Sequence, residues 1–342
     1  PFGNNIIQIF KRCYRPGITI QQATLELVNE LFGKWGVIVL IPDNAGLKRL
    51  LSETFSKEIE EQFSHKEVEK TVTQLSQHYK VQAGGREVNL FYLLDDKRER
   101  IEKEGCDFIV QNQNLRFTKD ELLNELQQYP ERFSPNVILR GVMQETVLPN
   151  VAFIGGGGEL AYWLELKGVF GAAKVPYPVL VLRNSFLFFT KKQDKKIKEL
   201  GFTASDFFKD DLALLNELTD RISGNKINID EEKTEITLLF QKLQLLVEKV
   251  DVTLREHTQA LSTATQNKLT ALQTKILRAE RRKYDTEMRQ IQTLQQQLFP
   301  HKNLQERVEN LSGWYARYDK AFIENIYLHS LSLEQQFAII TL

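Results

Sequence analysis

The 342-residue chain carries 45 Lys and Arg against 45 Asp and Glu, with 42% hydrophobic, 26% charged and 10% aromatic residues. That composition is globular. It excludes wholesale disorder and collagen-like repeats, and the balanced charge gives no support for a nucleic-acid partner or for attraction to anionic lipid.

Two cysteines, Cys13 and Cys106, are too few and too isolated for a disulfide framework or a zinc site. No apolar run reaches the roughly 18 residues of a membrane span, and no secretory signal is visible, so a cytoplasmic location is expected. Residue 1 is Pro1, and Phe2–Phe10 read as the middle of a domain, so a preceding segment is expected.

Ile18–Trp35 reads mostly as a helix, with Thr19 as cap, Leu25, Val28, Leu31 and Phe32 at helical spacing, and Gly33 and Gly36 at its end. Val37–Ile41 is a continuous apolar run closed by Pro42-Asp43-Asn44, the pattern of a buried parallel strand. Leu47–Ile59 resumes helical periodicity, completing one helix–strand–helix turn of an α/β sheet. Between about Val81 and Phe117 the texture changes. Ala83-Gly84-Gly85-Arg86 reads as a turn, and Asn89–Leu94, Arg100–Ile101 and Asp107–Val110 as short strands of an inserted β-rich lobe. Thr118 and Glu121 then stand at capping-box positions of a helix that ends before Pro130.

The α/β pattern returns with a helix over Val137–Leu148, closed by Pro149, and a buried strand over Asn150–Ile154. Four glycines follow, then a helix over Glu159–Phe170 and a strand over Val179–Leu182 that ends at Arg183. Beyond Thr190 the strand signals stop. Glu231–Leu298 has no Gly or Pro, and Ile236, Leu239, Leu243, Leu246 and Val250 step alternately by three and four. The seam slackens through Thr253–Lys268, then returns at Leu269, Leu272 and Ile276 and at Tyr284, Met288 and Ile291. A helix of roughly 60 residues would reach about 90 Å, too long for one compact domain, so it must pack on another long helix. Pro300 ends it, and Leu304–Leu328 is predicted helical before the apolar tail Phe337–Ile340.

The expected class is therefore α/β. A partial parallel-sheet core comprises residues 1–65 and 136–190, an inserted lobe 66–135, and a helical coiled-coil domain with a C-terminal helix and tail 191–342.

Chemistry is concentrated at Gly155-Gly156-Gly157-Gly158-Glu159, between a strand and a helix. Glycines there let backbone N–H groups approach an anion, and the helix start favours negative charge. No Lys-Ser or Lys-Thr follows, so the run is not a Walker A loop. A dinucleotide fingerprint would have Ala161 as its third small residue but would need an acid after the next strand, where Arg183 stands. That weakens a dehydrogenase reading. The residues leave a phosphate loop and a plain tight turn both open.

Glu159 is either a helix-start carboxylate or an acid that orients a substrate amine or hydroxyl. Tyr162 and Trp163 come within a turn of it, one as core and the other as a pocket wall. Arg140, Gln144 and Glu145 form a second cluster on one helix, and Arg183-Asn184 close a strand where an anion clamp would stand. For each, surface ion pairing is the competing reading. The five histidines lack ligand spacing, so no metal is expected.

Asn136-Val137-x-x-Arg140-x-x-Met143-Gln144-Glu145, followed by Ala152 through Glu159 and by Tyr162-Trp163-x-Glu165-Leu166-Lys167, resembles the bacillithiol biosynthesis cysteine-adding enzymes. Asn89-Leu90-Phe91-Tyr92, Glu131-Arg132-Phe133-Ser134 and Arg183-Asn184 are similar to that family too, and the likeness covers nearly the whole chain. Gly157 stands where the family often has proline.

The resemblance implies a partial Rossmann-like parallel-sheet core with connecting-peptide insertions and a coiled-coil domain that makes a homodimer. It implies a ligase joining the carboxyl of cysteine to the amine of glucosaminyl-malate through a nucleotide-activated carboxylate, with ATP or another nucleotide as cofactor. On that reading Glu159 is the catalytic residue. Arg140, Gln144, Glu145, Gly155, Gly156, Gly157, Gly158, Tyr162, Trp163, Arg183 and Asn184 bind substrate or nucleotide. The family's N-terminal region holds half of the nucleotide-binding core and a His-containing motif like that of class I aminoacyl-tRNA synthetases. Nothing here matches it, so the chain alone is expected to hold an incomplete active site. The alternative is a nucleotide-binding coiled-coil scaffold without catalytic activity.

Overall fold

The computed structural model describes residues 1–82, 84–222, 229–281, 284–330, 333–334 and 336–342. Ala83 of the predicted turn and residues 282–283 within the predicted seam lie outside the described residues. Two units emerge: Pro1–Asn184 with Tyr315–Gln336, and Ser185–Trp314 with Phe337–Leu342.

In the first unit, β1 (Leu90–Leu94), β2 (Lys97–Glu104), β3 (Asp107–Val110), β4 (Leu115–Phe117) and β5 (Phe133–Pro135) form an antiparallel sheet in the order β4-β3-β2-β1-β5. Phe91 pairs with Arg100 and Ile101 with Val110, so Tyr92, Ile101 and Phe108 turn inward. The helix Lys119–Gln128 covers this face with Leu122 and Leu126, both fully buried. It starts where the sequence places it, because the Thr118 hydroxyl accepts from the Glu121 N–H and the Glu121 carboxylate accepts from the Thr118 N–H.

A buried polar chain ties this lobe to the helices beside it. Glu58, at the end of the helix Ser52–Glu61, accepts from the Ser64 N–H, the Ser64 hydroxyl and the Asn89 N–H. The Asn89 amide donates to Ser64 Oγ, and Asn136 donates to Asn89 Oδ1. Burial pushes the Glu58 carboxyl above its usual range, and the three donors pull it part of the way back. Asn136 in turn caps the helix Val137–Val147 by accepting from the Ile138 N–H.

The α/β element follows. β6 (Ala152–Gly155) and β7 (Val179–Leu182) pair in parallel, with Ala152 opposite Val179 and Gly155 opposite Leu182. The helices Gly157–Glu165 and Lys167–Ala172 make the crossover. Trp163 anchors it: its ring is 2% exposed, stacks on Phe153 at 3.9 Å and packs on Phe170 at 5.4 Å. A Cβ at Gly141 would come within 3.1 Å of that ring and 3.3 Å of Phe170, so a larger residue there would have to push the rings aside.

Val37–Ile41 is not the buried strand predicted from its apolar run. It has no regular structure, and Ile38 is 84% exposed. A strand needs a hydrogen-bonded neighbour as well as apolar side chains, and no described segment pairs with this one. β6 and β7 are likewise open, with Ile154 60% and Val179 64% exposed.

The second unit is closed by β8 (Ser185–Phe189) and β9 (Phe337–Thr341), which pair in parallel. Sequence reading placed the tail as apolar but missed both strands. The edge of β8 is covered by Gln305, whose amide accepts from the Phe188 N–H and donates to the Phe188 carbonyl. Leu187 and Phe189 join Leu214, Leu218, Ile291 and Leu298 in a core.

The single long helix predicted from the seam is three helices, Asp230–Val247, Leu254–Arg281 and Asp285–Leu298. Glu248–Thr253 reverses the chain between the first two. They lie antiparallel, with Gln244 donating to Gln259, Gln266 to Thr237 and Lys233 to Gln273. The slackened pattern at Thr253 marks that reversal. The long helix finds its partner within the same chain. Leu304–Leu328 is also divided, into Gln305–Val308, Leu311–Tyr318 and Lys320–Leu328.

Candidate functional site

The four-glycine bend sits at the carboxyl end of β6, where α/β sheets present their ligands. A Cβ at Gly155 would lie 2.6 Å from the Phe153 ring, so this glycine is needed for packing. Gly156 precedes the helix Gly157–Glu165, and its N–H donates to Glu159 Oε2 at 2.8 Å. The carboxylate thereby satisfies one of the donors that a helix start leaves without an intrahelical acceptor. Gly157 and Gly158 face open space. The Arg183 N–H donates to the Gly155 carbonyl at 2.9 Å, and its guanidinium lies over Gly156, 3.4 Å from where a Cβ would be. Gly155–Gly158, Glu159 and Arg183 are therefore one group: a bend, buried at Gly155 and Gly156 and exposed at Gly157 and Gly158, flanked by an acid and a cation.

Arg140 and Gln144 are elsewhere. They line a half-open cavity of about 500 Å³ between the β lobe and the Val137–Val147 helix. Asn150 also lines it, and Asn150 precedes β6 whereas the bend follows it. Extended backbone from Asn150 to Gly156 spans roughly 15–20 Å at about 3.3 Å per residue. The predicted residues thus fall into two groups, one lining the cavity and one at the bend, and no bend residue is in the cavity wall.

Glu145 is 2% exposed and accepts from the Asn150 N–H at 2.7 Å and from the Asn150 amide at 3.0 Å, which fixes the loop leading into β6. Trp163 belongs to the core, and Tyr162 packs half-buried against it. Tyr177 donates to the Trp163 carbonyl at 2.7 Å, and burial pushes the Tyr177 phenol up to about 12. Asn184 follows Arg183, half-buried, at the end of the first unit.

The sequence reading did not find Arg98, Lys48 and Ser134, which share the cavity with Arg140. They come from three separate segments, so no spacing rule joins them. Lys48 is 3% exposed and is held by Asp43 at 2.6 Å and by the Glu131 carbonyl at 2.6 Å. Leu93, Met143 and Val147 supply apolar wall. Among the described residues no group of three or more His, Cys, Asp or Glu is placed to hold a metal ion. None of their helices is long and apolar enough to cross a membrane.

Comparison with known proteins bears on both units. Residues 2–184 match the family model of the bacillithiol biosynthesis BshC N-terminal Rossmann-like domain, and residues 186–342 match that of the BshC C-terminal coiled-coil domain. A relative from Flavobacterium johnsoniae is 37% identical over 339 residues, covering 99% of this chain and 64% of the relative. One from Christiangramia forsetii is 37% identical over 333 residues, covering 97% of this chain and 62% of the relative. One from Bacillus pumilus is 33% identical over 200 residues, covering 57% of this chain and 37% of the relative. Each bears the name "Putative cysteine ligase BshC". The chain spans 64% and 62% of the first two relatives.

Proposed function

The chain belongs to the bacillithiol biosynthesis BshC family, and from that premise we propose that it is part of a ligase that joins the cysteine carboxyl to the amine of glucosaminyl-malate. The observation that carries this reading is the match of both domain models, which together take in nearly every residue. The scaffold without chemistry is not what these matches favour.

The bend at the carboxyl end of β6 supports a place for the activating nucleotide. Gly157 and Gly158 leave open space over the helix start, and the Arg183 guanidinium stands beside them. Backbone N–H groups and a fork-shaped cation suit phosphoryl oxygens. A nucleotide bound there supplies activation of the carboxyl. Glu159 then orients the incoming amine while its other oxygen holds the Gly156 N–H.

The open strands β6 and β7 and the unpaired Val37–Ile41 run support completion of the site by sequence outside this chain. The exposed leucines of the helical hairpin support a homodimer, and the cytoplasm is its proposed location. Isothermal titration of the full-length protein with cysteine, glucosaminyl-malate and ATP tests the reading. Heat with the sugar substrate and with the nucleotide is expected; no heat with any of the three overturns it.

A further inference from the structure

We infer that the cavity between the β lobe and the Val137–Val147 helix is a second anion site, in which Arg98 and Arg140 together clasp a carboxylate or phosphoryl group of a small molecule. Its lining shares no residue with the glycine bend, and its test is read independently of ligation.

The first argument is charge. Arg98, Arg140 and Lys48 face the same space, and the lining holds one carboxylate, Asp43. Asp43 is already engaged by Lys48. Neither arginine has an ion pair among the described residues, although the lobe pairs Arg86, Arg116 and Arg132 with acids. Two guanidiniums that line one cavity without a free acid repel each other, and an anion between them removes that repulsion. Arg98 shows the cost: burial and then the charge of Arg140 lower its pKa from the ordinary arginine value.

The second argument is fixed geometry. Arg98 donates to the Pro135 carbonyl at 3.0 Å, and its guanidinium stacks 3.7 Å above the Phe91 ring. A planar group held by a ring and a carbonyl loses little freedom when it grips a carboxylate or phosphate with its remaining donors. Arg140 is one turn from Gln144 on the same helix, so an amide stands next to the clasp.

The third is shape. About 500 Å³ falls within the range of small-molecule sites, and an apolar wall beside a few convergent polar groups is their usual make-up. The wall implies a ligand with a body as well as an anionic end.

The test is isothermal titration of the full-length protein with succinate and, separately, with inorganic phosphate. At least one is expected to bind, about tenfold or more weaker in each of Arg98→Met and Arg140→Met, with Arg98→Lys and Arg140→Lys intermediate. Preference for succinate assigns a carboxylate source, and preference for phosphate a phosphoryl source. Thermal unfolding establishes that the variants are folded, and the lysine pair serves if a methionine variant is not. Anion binding that both arginine substitutions weaken supports the site even where the protein ligates no cysteine. Binding unchanged in both methionine variants, or no binding of either anion to the wild type, overturns it even where ligation is intact.

Discussion

Glu159 closes the start of its own helix: Oε2 accepts the Gly156 N–H at 2.8 Å, and the same oxygen is among the nearest atoms to the position a Gly156 side chain would take. One carboxylate is thus both a cap and an acid beside the bend. The two roles separate by substitution. Glu159→Ala removes the acceptor and is expected to lower stability by about 0.5–2 kcal/mol. Glu159→Gln keeps an oxygen for Gly156, so its loss is expected below about 0.5 kcal/mol while ligation by the full-length protein falls at least tenfold. Urea unfolding and initial rates measure the two. Equal activity in Glu159→Gln and wild type would leave only the cap.

Trp163 is expected to behave as core. Its buried ring stacks on Phe153 and packs against Phe170, so Trp163→Ala should cost about 3–5 kcal/mol. Trp163→Phe should cost less. Denaturant midpoints decide, and a loss under about 1 kcal/mol in the alanine variant would place the ring in a wall rather than the core.

Leu239, Leu243 and Leu246 are 53%, 39% and 60% exposed on the helix Asp230–Val247, which has no buried residue although it packs in a hairpin. Replacing all three with glutamate should leave the hairpin helical and halve the sedimenting mass of the full-length protein. An unchanged mass by analytical ultracentrifugation would remove this face from dimer formation.

Asp206 supplies a pH-dependent prediction. The Thr203 N–H and then Lys209 hold its carboxyl at about 2, below the usual 3.8. Because the folded value is the lower one, the stabilisation is complete above 3.8 and is lost as pH falls through about 2. The Asp206 side chain is half-buried and its partner Lys209 is exposed, so solvent screening holds the effect to about 1 kcal/mol. Unfolding of Asp206→Asn at pH 5 and pH 2.5 should show a smaller difference between the two conditions than wild type.

How far the sequence speaks depends on which interaction fixes an element. Local chemistry was readable. The Thr118–Glu121 box, the strand Asp107–Val110 and the strand Val179–Leu182 stand where their residues predict, because caps and β-branched runs act within a few positions. Partnership was not. Val37–Ile41 has the residues of a strand without a neighbour, and the seam of Asp230–Arg281 gives heptad spacing but not the fold-back that satisfies it. At the candidate sites the bend was readable from its glycines. The cavity was not, because Arg98 and Arg140 reach one wall only once the β1–β2 hairpin has packed beside the Val137–Val147 helix.

The parallel pairing of Ser185 with Phe337 sets an order of events during synthesis. β8 is made well before β9, and every hydrogen bond of its two-stranded sheet waits for Phe337–Thr341. Until then Leu187 and Phe189 have no strand beside them, and a nascent chain must keep this apolar ribbon from pairing with strangers for the whole time the helical hairpin is being made. Gln305, which is made before β9, occupies the Phe188 backbone on the opposite edge and so leaves that side of β8 closed to strangers.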